Sequence, residues 1–360
     1  MAGERGPANG RLRQLAHHIR PIDAAAPSGG GQMTPRGDWD PSFAPAPLRQ
    51  TSGRCLSGVA QRDVTPPPGI YNRNWGAAAR DTSTGSHGSL RVSAIAFAPL
   101  DVAPPEPLVI LTVDLGWLLA AETAELCEAV SATCGFGVDS GRLLVQMTHT
   151  HAGPSLTRPF TDGADCPGGE IALTWWEGLK AAAGGVVMDA IGSLEPAWLT
   201  SARGRCDLAQ QQEYLDRGVN DFVSTFSETP SPPAHSPHIA AGHIVLLMTD
   251  PDFTDPVDDT LVAVRVVRDG ATSPADPVLA TLTNYGCHPQ SLGPANSLVS
   301  ADWPGTTRQL LEKEFGGTSL FLLGACGETG PIEQCAPFHP SPQGWHWPDT
   351  WLAGSRPTQR

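Results

Sequence analysis

The stretch Leu143-Leu-Val-Gln-Met-Thr-His-Thr-His151, closed by Ala152, Gly153 and Pro154, decides the fold class. Apolar residues crowd its first half, and nine residues ending at a Gly-Pro turn suit a buried strand better than a helix. Side chains on a strand repeat every two residues, so His149 and His151 are expected on one face, about 7 Å apart along the backbone. That is a spacing at which two imidazoles hold a metal ion, although two hydrogen-bonded histidines at a strand end would leave the same letters.

Three more apolar runs end the same way. Leu108-Val-Ile-Leu-Thr-Val runs into Asp114, Pro277 to Tyr285 runs into Gly286-Cys-His288-Pro289, and Ser319-Leu-Phe-Leu-Leu323 runs into the glycine turn Gly324-Ala-Cys-Gly-Glu328-Thr-Gly-Pro331. Helical patterns over about 117–133, 171–194 and 302–315 follow or separate these runs, the second weakened by Gly184-Gly185. Asp302 is a plausible N-cap, with Pro304 in the first turn. Strands are also expected over 90–97, 244–248 and 261–267, the last turning at Asp269-Gly270. Pro66, Pro67 and Pro68 bar helix or central strand after Arg62. Residues 201–242 read as a polar loop, in which His235, His238 and His243 face solvent. The whole is an α/β fold, with mixed sheet or sheets flanked by helices and an active site at the strand carboxyl ends.

The outer segments carry no such pattern. Residues 1–52, rich in Gly, Pro, Ala and Arg, read as a disordered leader, residues 53–334 as the catalytic domain and 335–360 as an irregular Pro- and Trp-rich tail. At 360 residues, 40 % of them hydrophobic, the chain is long enough to bury a core. A formal charge of -14 without a basic stripe argues against nucleic acid and against an anionic membrane surface. No run of 18 apolar residues and no secretory signal is visible. Eight cysteines without zinc-ribbon or CxxC spacing read as reduced thiols of a cytoplasmic protein; secretion without a recognisable signal is the alternative.

Arg62-Asp-Val-Thr-Pro-Pro-Pro-Gly69, Thr148-His-Thr-His-Ala-Gly-Pro154, Asn284-Tyr-Gly-Cys-His-Pro289, Asn296 with Ser300-Ala-Asp-Trp-Pro-Gly305, and Leu320 to Pro331 occur in the order found in the neutral/alkaline non-lysosomal ceramidase family, which the chain resembles from about Leu56 to Glu333. The resemblance implies a zinc-dependent amidase of sphingolipid metabolism that hydrolyses the N-acyl bond of ceramide-like lipids. On that footing His149 and His288 are zinc ligands. Zn²⁺ would polarise the amide carbonyl and activate water, while His151 handles a proton or the developing oxyanion. Glu328 and Thr329 are further catalytic candidates in the glycine turn, and Asp114 and Asp302 would orient histidines or cap the neighbouring helix.

Three departures from the family pattern stand out. Gly330 occupies the place of a family serine, with Thr329 offering a hydroxyl one position early. Gln210, Gln211 and Gln212 stand where a substrate-anchoring arginine is expected. The family's remaining zinc ligands, a Glu and a Tyr, find no counterpart, so the reading expects a copy interrupted by truncation or a frame change after about Gln334; a Trp-rich lid is the alternative. Two other functions stay open: a catalytically impaired metal-binding remnant, and a zinc hydrolase of another acylated small molecule such as an N-acetyl sugar or ester. The partner expected is a small acylated substrate, and the oligomeric state is left open.

Overall fold

In a computed structural model, residues 19–21, 51–74, 78, 80–137, 140–211, 213–216, 221–224, 257–271, 278–293, 295–327, 329–331, 340–341 and 344–345 are described. The strands are β1 (Ile19–Pro21), β2 (Thr51–Asp63), β3 (Gly85–Ser86), β4 (Arg91–Ala98), β5 (Leu108–Val113), β6 (Leu143–Met147), β7 (Glu195–Cys206), β8 (Ala209–Gln211), β9 (Glu213–Asp216), β10 (Asp221–Ser224), β11 (Thr260–Arg268), β12 (Ala280–Tyr285), β13 (Leu298–Val299), β14 (Thr318–Leu323), β15 (Thr329–Pro331), β16 (Pro340–Ser341) and β17 (Gly344–Trp345). The helices are α1 (Ala120–Cys134), α2 (Thr157–Asp162), α3 (Gly169–Gly192) and α4 (Asp302–Phe315).

The main sheet runs β14-β12-β11-β7-β2-β4-β5-β6, with β1 also paired to β7. Only its two outer pairs, β5 with β6 and β12 with β14, are parallel; the inner neighbours are antiparallel. The order is therefore the same unit twice, outward from the central β2/β7 pair: β2-β4-β5-α1-β6, then β7-β11-β12-α4-β14. In each unit the helix is the crossover that a parallel pair requires. The mixed sheet flanked by helices was expected; the duplication was not.

The sheet curls until its ends meet. Gln146 of β6 donates from Nε2 to the Leu323 carbonyl of β14, at 2.6 Å, although the two strands lie at opposite ends of the order. Inside the curl, Ile95 of β4 packs with Ala197, Val266, Leu282 and Leu320 of the second unit. On the outer face of the first unit, α3 buries the stripe Ala172, Trp175, Trp176, Leu179, Ala183, Val186, Val187 and Ala190 against β2, β4 and α1. Gly184, read in the sequence as a weakness, is what admits this packing: a Cβ there would lie 2.7 Å from Thr133 Oγ1 of α1.

Two expectations need correction. Residues 201–242 are not loop throughout, because β7 fills 195–206 and pairs on both sides, and β8, β9 and β10 follow. Its run Thr-Ser-Ala-Arg-Gly-Arg has little apolar content, so its neighbours rather than its own propensity make it a strand. The stretch 143–151 is not strand to its end: β6 stops at Met147, and His149 takes a left-handed φ of 63°. His235, His238, His243 and the strand expected over 244–248 lie outside the described residues.

Candidate metal centre

The four strand tips picked out by the sequence belong to β5, β6, β12 and β14, the two parallel pairs, and the curl brings them together. Past Met147 the chain stays tied to the β5 tip, because the N–H groups of Thr148 and His149 donate to the carbonyls of Val113 and Leu115, each at 2.9 Å. The second unit holds the same loop: His151 N–H donates to Pro289 O (3.0 Å), Ser300 N–H to Ala152 O (2.9 Å), and Thr150 Oγ1 to Ser300 O (2.7 Å). A non-glycine residue at positive φ is costly, typically about 1–3 kcal/mol, and these bonds fix it.

His149, His151 and His288 meet in this space, each offering a ring nitrogen within 4.8 Å of the others. His149 Nε2 lies 3.0 Å from His288 Nε2, and the ring centroids are 4.7 Å apart. On its far side each of these two rings sets Nδ1 against a backbone carbonyl at 2.7 Å, Gly116 for His149 and Cys326 for His288. A carbonyl can only accept, so Nδ1 carries the proton and Nε2 presents its lone pair to the centre. Gly286 allows the second loop to sit this close to the β14 tip, since a Cβ there would fall 2.5 Å from the Ala325 carbonyl.

Burial lowers the pKa of all three imidazoles. It pulls His288 down to about 4, helped by the neighbouring His149, and pulls His149 down against the bond to Gly116. His151 falls well below the ordinary value through burial and then through His288 and His149, with the Asn74 backbone opposing. Three neutral imidazoles crowded together, two of them with fixed tautomers, are a donor set suited to zinc. The indole of Trp117 walls one side, its centroid 6.2 Å from those of His149 and His151.

The two acids act at one remove. Asp114, fully buried, accepts from Arg308 Nη2 (2.6 Å), the Arg91 N–H (2.7 Å) and Thr148 Oγ1 (3.2 Å). It steadies the residue before His149 rather than capping α1, where Glu122 accepts the Leu119 N–H instead. Asp302, at φ 53°, is the first residue of α4, and Ala301 is the N-cap. Its carboxylate accepts from the N–H groups of Ser291 (3.1 Å), Leu292 (3.0 Å) and Trp303 (2.7 Å), which fastens the loop after His288. Burial nevertheless pushes its pKa up.

In the glycine turn, Thr329 donates its hydroxyl to Gly286 O (2.8 Å), and its own carbonyl accepts the His288 N–H (2.9 Å). It braces the loop bearing His288. Glu328 lies outside the described residues. Sequence reasoning missed Trp117, which it placed on a helix, and Arg308, whose partner is 194 positions away.

No protein-family model and no curated protein sequence matches the chain. Among solved structures it is similar to the neutral ceramidase from Pseudomonas aeruginosa, with a TM-score of 0.57 and 16 % identity over 84 % of this chain and 42 % of that one. A ceramidase complexed with C2 gives a TM-score of 0.53 at 16 % identity, over 77 % of this chain and 38 % of that one. The chain thus spans less than half the length of either. Over most of its length, this chain has the fold of those neutral ceramidase structures.

Proposed function

We propose that the chain is a zinc-dependent amide hydrolase that cleaves the N-acyl bond of a ceramide-like or similarly acylated small molecule. The observation that carries this reading is the meeting of His149 and His288, imidazoles from the two halves of the sheet, with both Nε2 lone pairs turned on one point. The likeness to ceramidase folds supplies the substrate class. Zinc, when bound, provides an electrophile and a water-derived nucleophile at neutral pH. The protein's part is to keep the imidazoles neutral and oriented through the Gly116 and Cys326 carbonyls. The Trp117 wall and the burial of His288 limit water around the reacting bond.

A second reading, hydrolysis of a different acylated molecule, is favoured by one register. Gly330 of β15 pairs with Gln210 of β8, so two departures from the ceramidase pattern face each other on one ribbon. The ribbon itself carries none of the three histidines. The seven described cysteines are free, which suits a reducing compartment such as the cytoplasm. Among the described residues no helix is long and apolar enough to cross a membrane.

The test is zinc content together with substrate release. Purified protein is expected to hold about one zinc per chain, in keeping with the one cluster of ligands among the described residues, and to release fatty acid from short-chain ceramide in preference to acetate from N-acetyl sugars or simple esters. His149→Ala should abolish both properties. Protein without stoichiometric zinc, whose turnover is untouched by His149→Ala, would overturn the proposal. Acetate release without fatty-acid release would move it to the second reading.

A further inference from the structure

Asn74 lies outside the strands and helices, yet its side chain touches both segments that hold His149. We propose that Asn74 is a positioning residue for His149: its carboxamide fastens the far end of the 148–153 loop to the Gly116 turn, and so fixes where the Nε2 lone pair of His149 points. The inference concerns the chain's own geometry and rests on the zinc reading above only for what that lone pair serves.

The contacts of one buried amide carry the argument. Asn74 is almost fully buried, and its Nδ2 donates to the Gly153 carbonyl at 2.6 Å, across 79 positions of sequence. A carbonyl can only accept, so the orientation of the carboxamide is settled. Its Oδ1 lies against Gly116, where a Cβ would fall 3.4 Å from Asn74 Oδ1 and 3.3 Å from the Thr150 carbonyl. Asn74, Gly116 and the histidine loop therefore meet with little room for another side chain. Gly116 is the residue whose carbonyl accepts from His149 Nδ1 at 2.7 Å. Among the described residues Oδ1 has no hydrogen-bond partner, an uncommon state for a buried acceptor. An amide kept at that cost is kept for the bond its Nδ2 makes.

The left-handed turn at His149, φ 63°, needs support at both ends. At the near end the N–H groups of Thr148 and His149 donate to Val113 and Leu115. At the far end the Asn74 amide holds Gly153, and the Ser155 N–H donates to Tyr71 O at 3.0 Å. The segment bearing Asn74 is itself held, because the Asn72 N–H donates to Asp81 O (3.0 Å) and Arg73 pairs with the Asp81 carboxylate (2.8 Å). A line of fixed contacts thus runs from Asp81 through Asn74 and Gly116 to the ring of His149.

The test follows that ring in the full chain, first without metal. In ¹⁵N spectra of the histidine rings, assigned with His149→Asn, parent His149 should be one neutral tautomer with its proton on Nδ1. Asn74→Asp keeps the shape and turns an oxygen on the Gly153 carbonyl; Asn74→Ala, which buries no new charge, is the second variant. Both should mix the two tautomers of His149, with circular dichroism to establish that each is folded. Zinc titrated against a chromophoric chelator should then bind each about 10-fold more weakly, the lower end of what loss of an outer-sphere partner costs. Trp175→Phe is the control: it removes a side-chain bond to a distant carbonyl, Trp175 Nε1 to Val64 O at 2.6 Å, and should lower stability without moving the His149 signals or the zinc affinity. A single parent-like tautomer in both Asn74 variants overturns the inference, whether or not zinc binds. So does an equal response to Trp175→Phe, which would mean general loosening. A parent chain with an ordered His149 ring that binds no zinc overturns the zinc reading alone, and mixed tautomers in its Asn74 variants still uphold the positioning.

Discussion

The two repeated units, β2-β4-β5-α1-β6 and β7-β11-β12-α4-β14, share a strand plan and divide the labour. The first is backed by α3, whose buried stripe is apolar from Ala172 to Ala190, and it holds the larger core. The helix of the second, α4, buries Asp302, Pro304, Gly305 and Arg308, and leaves Leu310 and Phe315 exposed. One helix holds up the sheet; the other holds up the site. Donor placement differs too, since the first unit offers histidines from its last strand and the second from the first member of its parallel pair. Only a curled sheet brings those unlike tips together, so shape rather than symmetry makes the centre.

The lock between the units is the ion pair of Arg308 with Asp114, both almost fully buried, and breaking it gives the largest expected effect. Among the described residues, Nε and Nη1 of Arg308 have no hydrogen-bond partner, so the guanidinium is incompletely compensated. Removing one member of a buried pair strands the other, at about 3–5 kcal/mol, whereas replacing both with apolar groups is often close to neutral. Arg308→Leu should lower unfolding stability by that amount in urea titrations, and Arg308→Leu with Asp114→Leu should recover only part of it, because the Arg91 N–H and Thr148 Oγ1 then lose their acceptor. A single variant costing under about 1 kcal/mol would mean that the units are joined by the inner core alone.

Acid should sharpen the same comparison, because the units carry unequal shares of the buried imidazoles. His288 titrates at about 4 when folded and near 6.5 when unfolded. Between those values the unfolded chain binds more protons, so stability rises with pH across the window and is lost as pH falls from 6.5 towards 4. The loss from His288 alone is about 3 kcal/mol at pH 4. Denaturant midpoints of the metal-free chain measured across that window should show it, and His288→Asn should flatten the slope. His149, which is more exposed and is lowered through burial opposed by its Gly116 bond, should contribute less. Equal flattening by His149→Asn would erase the distinction between the two tips.

Much of this architecture was legible because it depends on local pattern. The runs ending at Asp114, His149, His288 and Gly324 are β5, β6, β12 and β14, and α1, α3 and α4 fall within three residues of the expected bounds. What escaped depends on partners distant in the chain. β7 is a strand because β2 and β11 flank it, not because Thr200 to Arg205 favour one. The turn at His149 is imposed by bonds to Leu115 and Gly116. Trp117 could have been placed before α1 rather than in it, because Glu122 lies three residues after Leu119 and accepts its N–H, the signature of a helix start. The pairing of Asp114 with Arg308 had no sequence signal.

The smallest effect tests the thicker backing of the first unit, and it is a matter of sign. Alanine is favoured over glycine inside a helix by about 1 kcal/mol. At Gly178, exposed on α3 with nothing within 4 Å of a new Cβ, Gly178→Ala should stabilise by up to about that amount. At Gly184 the same methyl would meet Thr133 Oγ1 at 2.7 Å and Thr133 Cβ at 3.0 Å. Overpacking costs about 1–3 kcal/mol, enough to cancel or reverse the propensity gain. Thermal or urea unfolding should therefore move in opposite directions for the two variants. Adding Thr133→Ala should partly rescue Gly184→Ala and leave Gly178→Ala unaffected, because it removes Oγ1, the nearest atom struck, while Cβ at 3.0 Å stays. If both alanines stabilise equally, α1 and α3 are not in close contact at this point, and the contrast drawn between the helices of the two units fails there.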